Sequence, residues 1–285
     1  MIERSAVTGS LPLFIDEGMS RELERAEATS SCAFCRAAAA IYPDAPILAI
    51  PCAGGFGLHY GPNDLLNAVK GVGLNGPVAP AGWDALEAAF RDAGSRVVLD
   101  LSPFADEHFV SLLSARSYVI GSFETVLCRR VKGGPKPPDI TLAPGMTIAQ
   151  VGRGQAQDWS RVLDVGFANG GEPMRFAVDI GRVRTSLPDS IMLLATVNGE
   201  PAGGAGMSVV GDIAVMSGAA VLPKFRGRGI QQALTSTRLR LATERGCTFA
   251  KLDVRAGSAS YRNAVRGGFQ VAYTRPQLVR EWSRI

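Results

Sequence analysis

The sequence predicts an α+β protein of two domains, each a mixed, mainly antiparallel, twisted sheet flanked by helices. Three observations predict it: a proline- and glycine-rich break at mid-chain, a helix–glycine–strand punctuation repeated on both sides of that break, and the order of strands and helices in the second half. The 285 residues suffice for one large domain or two ordinary ones at roughly 100–200 residues each. The break is VKGGPKPPDITLAPG, Val131 to Gly145, with four prolines, three glycines and little apolar content. Such composition suits a linker between packed units. The predicted division is residues 1–131, a linker at 132–145, and residues 146–285.

The two sides of the break resemble each other. RDAGSRVVLDL (Arg91–Leu101) reads as a helix end, a glycine stop and a short strand, and TERGCTFAKLDV (Thr243–Val254) reads the same way. Tyr118 opens the strand VIGSFETVLCRR, and Phe269 opens the strand around VAYTR. Gly94 and Gly246 are 152 positions apart, Asp100 and Asp253 are 153, and Tyr118 and Phe269 are 151. A near-constant offset across three landmarks predicts a duplicated unit.

The second half is read element by element. GMTIAQVG is a first strand, and GQAQDWSRVLDVGF and EPMRFAVDIGRVR are two helices. SIMLLATV then reaches Asn198-Gly199, a hairpin turn in which both central residues must tolerate positive φ. AGGAGMSVV and IAVMSGAAVLP are the next strands, joined at Gly211-Asp212. A helix is expected from about Ile230 to Arg245, stopped by Gly246. Ile230, Ala233, Leu234 and Leu241, with Thr237, fall at helical spacing and predict its buried stripe. Strand FAKLDV, helix SASYRNAVRG and strand FQVAYTR complete the order, an α+β arrangement.

Composition narrows the function. No apolar run reaches the ~18 residues of a membrane span, and the opening MIERSAVTGS is charged and polar where a signal peptide needs an apolar stretch. A cytoplasmic protein without membrane partners is expected. From Thr141 onward 18 Lys/Arg face 10 Asp/Glu, so the half that holds the motif below is basic while the first half is acidic. The basic residues are dispersed, which argues against nucleic acid and suits a phosphorylated small ligand. Cys32 and Cys35 form a C-x-x-C in an Ala-rich stretch, but no second pair or familiar His spacing accompanies them, so they read as two residues of a buried helix and no metal is expected.

The segment that carries chemistry is Val221-Leu-Pro-Lys-Phe-Arg-Gly-Arg-Gly-Ile-Gln-Gln-Ala-Leu234. A strand runs through Pro223 into a Gly- and Arg-rich loop and then directly into a helix. The first N–H groups of a helix lack intrahelical partners and point outward, and the helix dipole adds partial positive charge. Gly227 and Gly229 let backbone approach a bulky ligand, and Arg226 and Arg228 add charge. A pyrophosphate fits such a site. Gly71-x-Gly73-x-x-Gly76 in the first half matches a dinucleotide fingerprint formally. Pro77 and further non-helical residues separate it from the helix near Trp83, so it reads as a strand end and turn.

Arg226-Gly-Arg-Gly229-Ile-Gln231 after a strand and before a helix resembles the GNAT superfamily of acyltransferases, whose signature is Arg/Gln-x-x-Gly-x-Gly/Ala. Gln231 departs from the final Gly/Ala. Ser260-x-Arg262 and Gly268-Phe269 resemble the last helix and strand of members that acetylate protein N-termini. The resemblance implies acetyl-CoA as co-substrate, no metal, and direct attack of an amine on the thioester. By matching positions, Ala219, Ala220 and Val221 offer backbone to the pantetheine, and Arg226, Gly227, Arg228, Gly229, Ile230, Gln231 and Gln232 surround the pyrophosphate. A strand N–H would stabilise the oxyanion.

Catalytic residues stay unassigned. Many members place a tyrosine four residues before the final Gly-Phe; here that position is Ala264, with Tyr261 and Tyr273 as replacements, each read as packing. A base would be Glu172, Asp212, Asp253, a water or a group from the first half. The first half resembles a second copy without a cofactor loop, an arrangement found in tandem members. His59 and Tyr60 in GGFGLHYG would then face the acceptor. The acceptor is a small-molecule or peptide amine, and the protein a monomer or homodimer. A non-catalytic acetyl-CoA-binding regulator and a ligand-free structural protein are the competing readings.

Overall fold

The structure, a computed structural model, describes residues 13–168, 171–172 and 176–282. Its first half runs α1 (Glu17–Ile41), β1 (Leu48–Cys52), β2 (Gly55–His59), β3 (Ala68–Lys70), α2 (Pro80–Asp92), β4 (Val97–Asp100), α3 (Glu107–Ala115) and β5 (Val119–Arg130). The second runs β6 (Met146–Gln150), α4 (Ala156–Ala168), α5 (Ile180–Arg184), β7 (Ser190–Val197), β8 (Glu200–Val210), β9 (Ile213–Val221), α6 (Ile230–Glu244), β10 (Phe249–Val254), α7 (Ala259–Arg266) and β11 (Gln270–Arg280). The punctuation follows the residues that force it. Asp16, Asp106, Asp179 and Ser258 cap α1, α3, α5 and α7 with side-chain oxygens on free N–H groups. Asn198 (φ +51°) and Gly199 (φ +80°) turn β7 into β8.

All eleven strands join one mainly antiparallel sheet in the order β1-β2-β3-β4-β11-β5-β10-β9-β8-β7-β6. Only β3–β4 and β9–β10 are parallel. The halves exchange their last strands: β5 pairs with β10, β11 pairs with β4, and β5 and β11 pair with each other at the centre. Asp100 lies opposite Gln277 and Asp253 opposite Val126. Gln277 and Val126 are themselves 151 positions apart, so the register repeats the offset seen in the sequence landmarks. The pairing pattern from β1 through β4 to β11 matches that from β7 through β10 to β5.

The sheet is covered on both faces. A Cβ on Gly203 would meet Ile230 and Leu234 of α6 at 2.8 and 3.3 Å, and one on the neighbouring Gly204 would meet Trp159 and Leu163 of α4 at 3.2–3.4 Å. Successive residues of a strand face opposite sides, so α6 and α4 lie on opposite faces of β8. Glycine at both positions lets the helices lie close, since a Cβ would press on Ile230 at Gly203 and sit tightly against Trp159 and Leu163 at Gly204. Trp159, Leu163 and Leu234 are almost wholly buried, each contributing about 1.5–3 kcal/mol by area. α1 crosses the centre of the sheet on the α4 side, touching β2, β8, β9 and α5. Among the described residues no helix is long and apolar enough to cross a membrane.

Two expectations need correction, the second helix and the buried stripe of α6. The helix expected over Glu172–Arg184 is confined to Ile180–Arg184 among the described residues, with 176–179 non-helical. The buried face of α6 is Ile230, Ala233, Leu234, Thr235, Arg238, Leu239 and Ala242, while Leu241 and Thr237 are half-buried. The stripe turns by one position because Arg238 lies beneath β8 and donates from a terminal nitrogen to the Gly206 carbonyl at 3.2 Å. The stretch read as a linker lies against α6 and α7: Arg129 donates to the carbonyls of Pro135 and Lys136 and to that of Gly267, and Ser236 donates to the Pro138 carbonyl. Gly71, Gly73 and Gly76 form turns with positive φ after β3. Cys32 and Cys35 are buried on α1, their thiols pushed up by desolvation, Cys35 to about 11.

Candidate functional site

The site forms where β9 and β10 part. Their parallel pairing is confined to Ile213–Val215 against Phe249–Lys251, and beyond it the strands diverge. A bulge contributes to this. Gly206 pairs with Ser217 but Gly204 with Ala220, so β9 carries one extra residue, at Gly218 with φ +53°. Bulges increase local twist and disrupt the ladder. The N–H and C=O groups at the end of β9 that face β10 therefore have no partner strand.

A cleft of about 960 Å³ fills the gap, and its lining includes Ala219, Ala220, Val221, Arg226, Gly227, Gly229, Ile230, Gln231 and Gln232. Of the cofactor residues expected from the sequence only Arg228 lies outside this lining; its guanidinium stands 5.5 Å from the Phe225 ring centre. Gly227 (φ +75°) and Gly229 (φ +76°) are left-handed, and a Cβ on either would meet no atom within 4 Å. The left-handed backbone thus favours glycine at both positions, and the space beside them is open. Gly229 caps α6 without a side-chain bond, and the first bond of the helix is Ala233 N–H to the Gly229 carbonyl. The N–H groups of Ile230, Gln231 and Gln232 have no acceptor within the helix, and at position 231 the donor is backbone, so the glutamine side chain does not remove it. Arg226 donates to the carbonyls of Val221 at 3.2 Å and Gly166 at 3.0 Å, tying the end of α4 to the loop. Arg255, Ser258, Asn263 and Arg266 also line the cleft; no motif in the sequence marks these four polar residues. A diphosphate with an extended thiol-bearing arm fits this arrangement: open helix N–H groups, arginines and a free strand edge.

Asp253, at the end of β10, also lines a second cavity of about 400 Å³ on the α1 side of the sheet. Phe167 is the other residue shared by the two linings. Behind Asp253 lies a buried charge network. Arg275 bonds Glu24 at 2.7 Å, Glu27 at 3.0 Å, Asp100 at 3.3 Å and Glu124 at 3.2 Å. Lys70 bonds Glu27 and Asp100, and Lys251 bonds Glu27. Five carboxylates here face three cations. Asp253 is the least well paired. Its Oδ1 is 3.2 Å from Lys251 Nζ without a hydrogen bond, and Oδ2 is 3.7 Å from Arg275. Burial and the nearby Glu27 push its carboxyl up to about 7, against the pull of Lys251, Arg275 and Lys70. Glu27, contacted by all three cations, is held well below the usual carboxylate range, although burial alone would raise it. A carboxyl poised near neutrality at the junction of two cavities is suited to accept a proton.

The other acid–base expectations fall elsewhere. Asp212 lies at the β8–β9 turn, where its carbonyl accepts from Thr248, and Glu172 is exposed. Tyr273 is buried, donates to Glu24 at 2.8 Å and is raised by burial and that carboxylate. Tyr261 packs against the core beside α6. Neither tyrosine lines the cofactor cleft. His59 is fully buried, bonded to the Pro46 carbonyl at 2.7 Å and Ser95 Oγ at 2.8 Å, and does not line the second cavity, whereas Tyr60 does.

Residues 165–265 match the model of the acetyltransferase (GNAT) family. That span contains the bulged strand, the Gly- and Arg-rich loop, α6, β10 and nearly all of α7. The match is thus to a GNAT acetyltransferase domain within residues 165–265. No curated protein matches the chain by sequence. Among solved structures, a GCN5-related N-acetyltransferase from Kribbella flavida is similar over 93% of this chain and 96% of its own, with TM-score 0.65 and 16% identity. A GCN5-related N-acetyltransferase from Sphaerobacter thermophilus matches over 70% of this chain and 65% of its own (TM-score 0.55, 17% identity). A tandem GNAT protein from the clavulanic acid biosynthesis pathway matches over 70% of this chain and 68% of its own (TM-score 0.53, 14% identity). At such identities the likeness is one of fold.

Proposed function

We propose that the protein transfers the acetyl group of acetyl-CoA to a primary amine of a small molecule by direct attack. The observation that carries this reading is the meeting, at Asp253, of a cleft suited to CoA and a separate cavity on the other side of the sheet. The second cavity is near the lower end of the ~300–1,000 Å³ of small-ligand sites, which favours a small molecule over a peptide. The CoA thioester supplies the activated acetyl carbon. The Gly227–Gln232 backbone binds the diphosphate, the free edge of β9 orients the arm, and Arg226 holds the loop in shape. The acceptor enters from the α1 side. Asp253, as carboxylate, takes the proton released as the amine nitrogen bonds to the acetyl carbon and the carbon–sulfur bond breaks. The N-terminal half supplies α1, Tyr60 and Lys70 to the acceptor wall, which supports its reading as a copy given over to substrate binding.

Ala264, where many family members have a hydroxyl, favours a second reading as a non-catalytic acetyl-CoA sensor. Incubating the protein with acetyl-CoA and a mixture of small amines, with detection of acetylated products by mass spectrometry, separates the two. Products that require enzyme support transfer; saturable acetyl-CoA binding without products supports the sensor.

A further inference from the structure

Arg184 lines the second cavity, and among the described residues no carboxylate lies within ion-pair distance of it. Its terminal nitrogens donate to Ser190 Oγ at 3.3 Å and Ser217 Oγ at 2.6 Å. Its Nε is buried without a partner. A guanidinium has five N–H donors, so three remain unspent. The rings of Phe34 and Trp159 flank it at 5.8 and 5.9 Å. Burial pushes it down to about 10 despite the nearby Tyr60. Directly through the sheet lies Arg238, bonded to the Gly206 carbonyl, while Arg184 lies 3.2 Å from where a Gly206 Cβ would stand. Arg238 is pushed down to about 10 as well, by burial and by Arg184. Two desolvated cations stacked through a glycine, neither with an acidic partner among the described residues, make a positive well. A buried charge without a counter-ion is costly, and a ligand anion at Arg184 would relieve that cost.

The opposite side of the same cavity is acidic, with Glu27, Asp100, Glu124 and Asp253 in its lining. Both poles line the one cavity of about 400 Å³. Ser217, which accepts from Arg184, is two residues beyond Val215, and Asp253 is two beyond Lys251, the residue paired with Val215. Ser217 and Asp253 are thus both turned to the α1 side, on the two strands that part there. Trp159, Leu163, Phe34 and Phe176 supply apolar wall. We infer that the acceptor carries a carboxylate as well as its amine, on a largely apolar body: an amino-acid-like small molecule, its carboxylate on Arg184 and its amine toward Asp253. One negative charge matches the one cation of this cavity that lacks an acidic partner. A phosphate would bring close to two, beside four carboxylates.

This inference rests on the acetyl-transfer reading, and the test separates them. Acetyl-CoA binding is measured first by calorimetry. CoA release is then followed with the common amino acids, each beside its primary carboxamide and its decarboxylated amine. The expected result is turnover on carboxylate-bearing members, the apolar ones best, with KM about 10- to 100-fold higher for the amides, the range of a charge-assisted hydrogen bond. Arg184→Gln should erase the acid-to-amide ratio while acetyl-CoA still binds. Should that variant not fold, the ratio in wild type carries the test alone. Equal use of acids and amides, or acetylation of carboxylate-free amines only, overturns this inference alone; acetyl-CoA binding with no product from any member overturns it together with the transfer reading. Failure to bind acetyl-CoA overturns the transfer reading and this inference with it.

Discussion

Replacing Asp253 by Asn separates catalysis from stability. The carboxyl is raised from 3.8 to about 7 by burial and by Glu27. A carboxyl whose folded value lies above its unfolded value favours folding when protonated, so its contribution is full below about 3.8 and is lost progressively as pH rises from there to about 7. The difference of about 3 pH units corresponds to at most about 4 kcal/mol at 1.36 kcal/mol per unit. Asparagine mimics the protonated form. Asp253→Asn should therefore exceed wild type by up to about 2 kcal/mol near pH 5 and by up to about 4 kcal/mol near pH 9, read from urea denaturation at both pH values. As the proton acceptor, the same residue should contribute about 10²–10⁴ to the rate. In wild type kcat/KM should rise with pH through about 7, and the variant should lose that limb together with 10²-fold or more of kcat, with acetyl-CoA affinity unchanged. A variant with wild-type kcat, or one whose stability gain is the same at pH 5 and pH 9, would refute the reasoning.

Three further outcomes follow from the buried groups. Arg275→Met strips the cation shared by Glu24, Glu27, Asp100 and Glu124, and should destabilise by about 3–5 kcal/mol, measured by urea denaturation at pH 7. Tyr273→Phe removes the donor to Glu24 and should cost about 1–3 kcal/mol with kcat unchanged; a large fall in kcat would make Tyr273 the missing acid. His59→Gln should leave acceptor KM unchanged, because the ring faces Pro46 and Ser95, and should lower the melting temperature.

Local signals carried far in this chain. The Asn198-Gly199 turn, the glycine stops at Gly94 and Gly246, and the strand–loop–helix around Arg226 to Gln232 depend on residues near in sequence, and each takes the predicted form. The constant offset that predicts a duplicated unit is legible in the sequence, and the register of Asp100 and Asp253 has the same offset. The strand exchange was not visible, since β5 and β11 would pair equally well by pattern with a strand of either half. Glu24 and Glu27, three apart on α1, are buried under Lys70, Lys251 and Arg275 only in the folded sheet. Nothing in the sequence marks Arg184 or Arg238 as lying inside: a polar residue at a core position carries no periodic signal. Asp253 is one of three carboxylates that the sequence offers as a base, and only burial and its neighbours distinguish it.

The central claim is that the loop from Arg226 to the start of α6 holds the diphosphate of acetyl-CoA. Calorimetric titration with acetyl-CoA of wild type and Gly229→Asp tests it most directly. The substitution forces a side chain onto a left-handed residue and sets a carboxylate where the phosphates would lie. Micromolar binding by wild type, lost in a variant that still unfolds cooperatively, is the predicted result. No binding by wild type, or equal binding by both, would contradict the account.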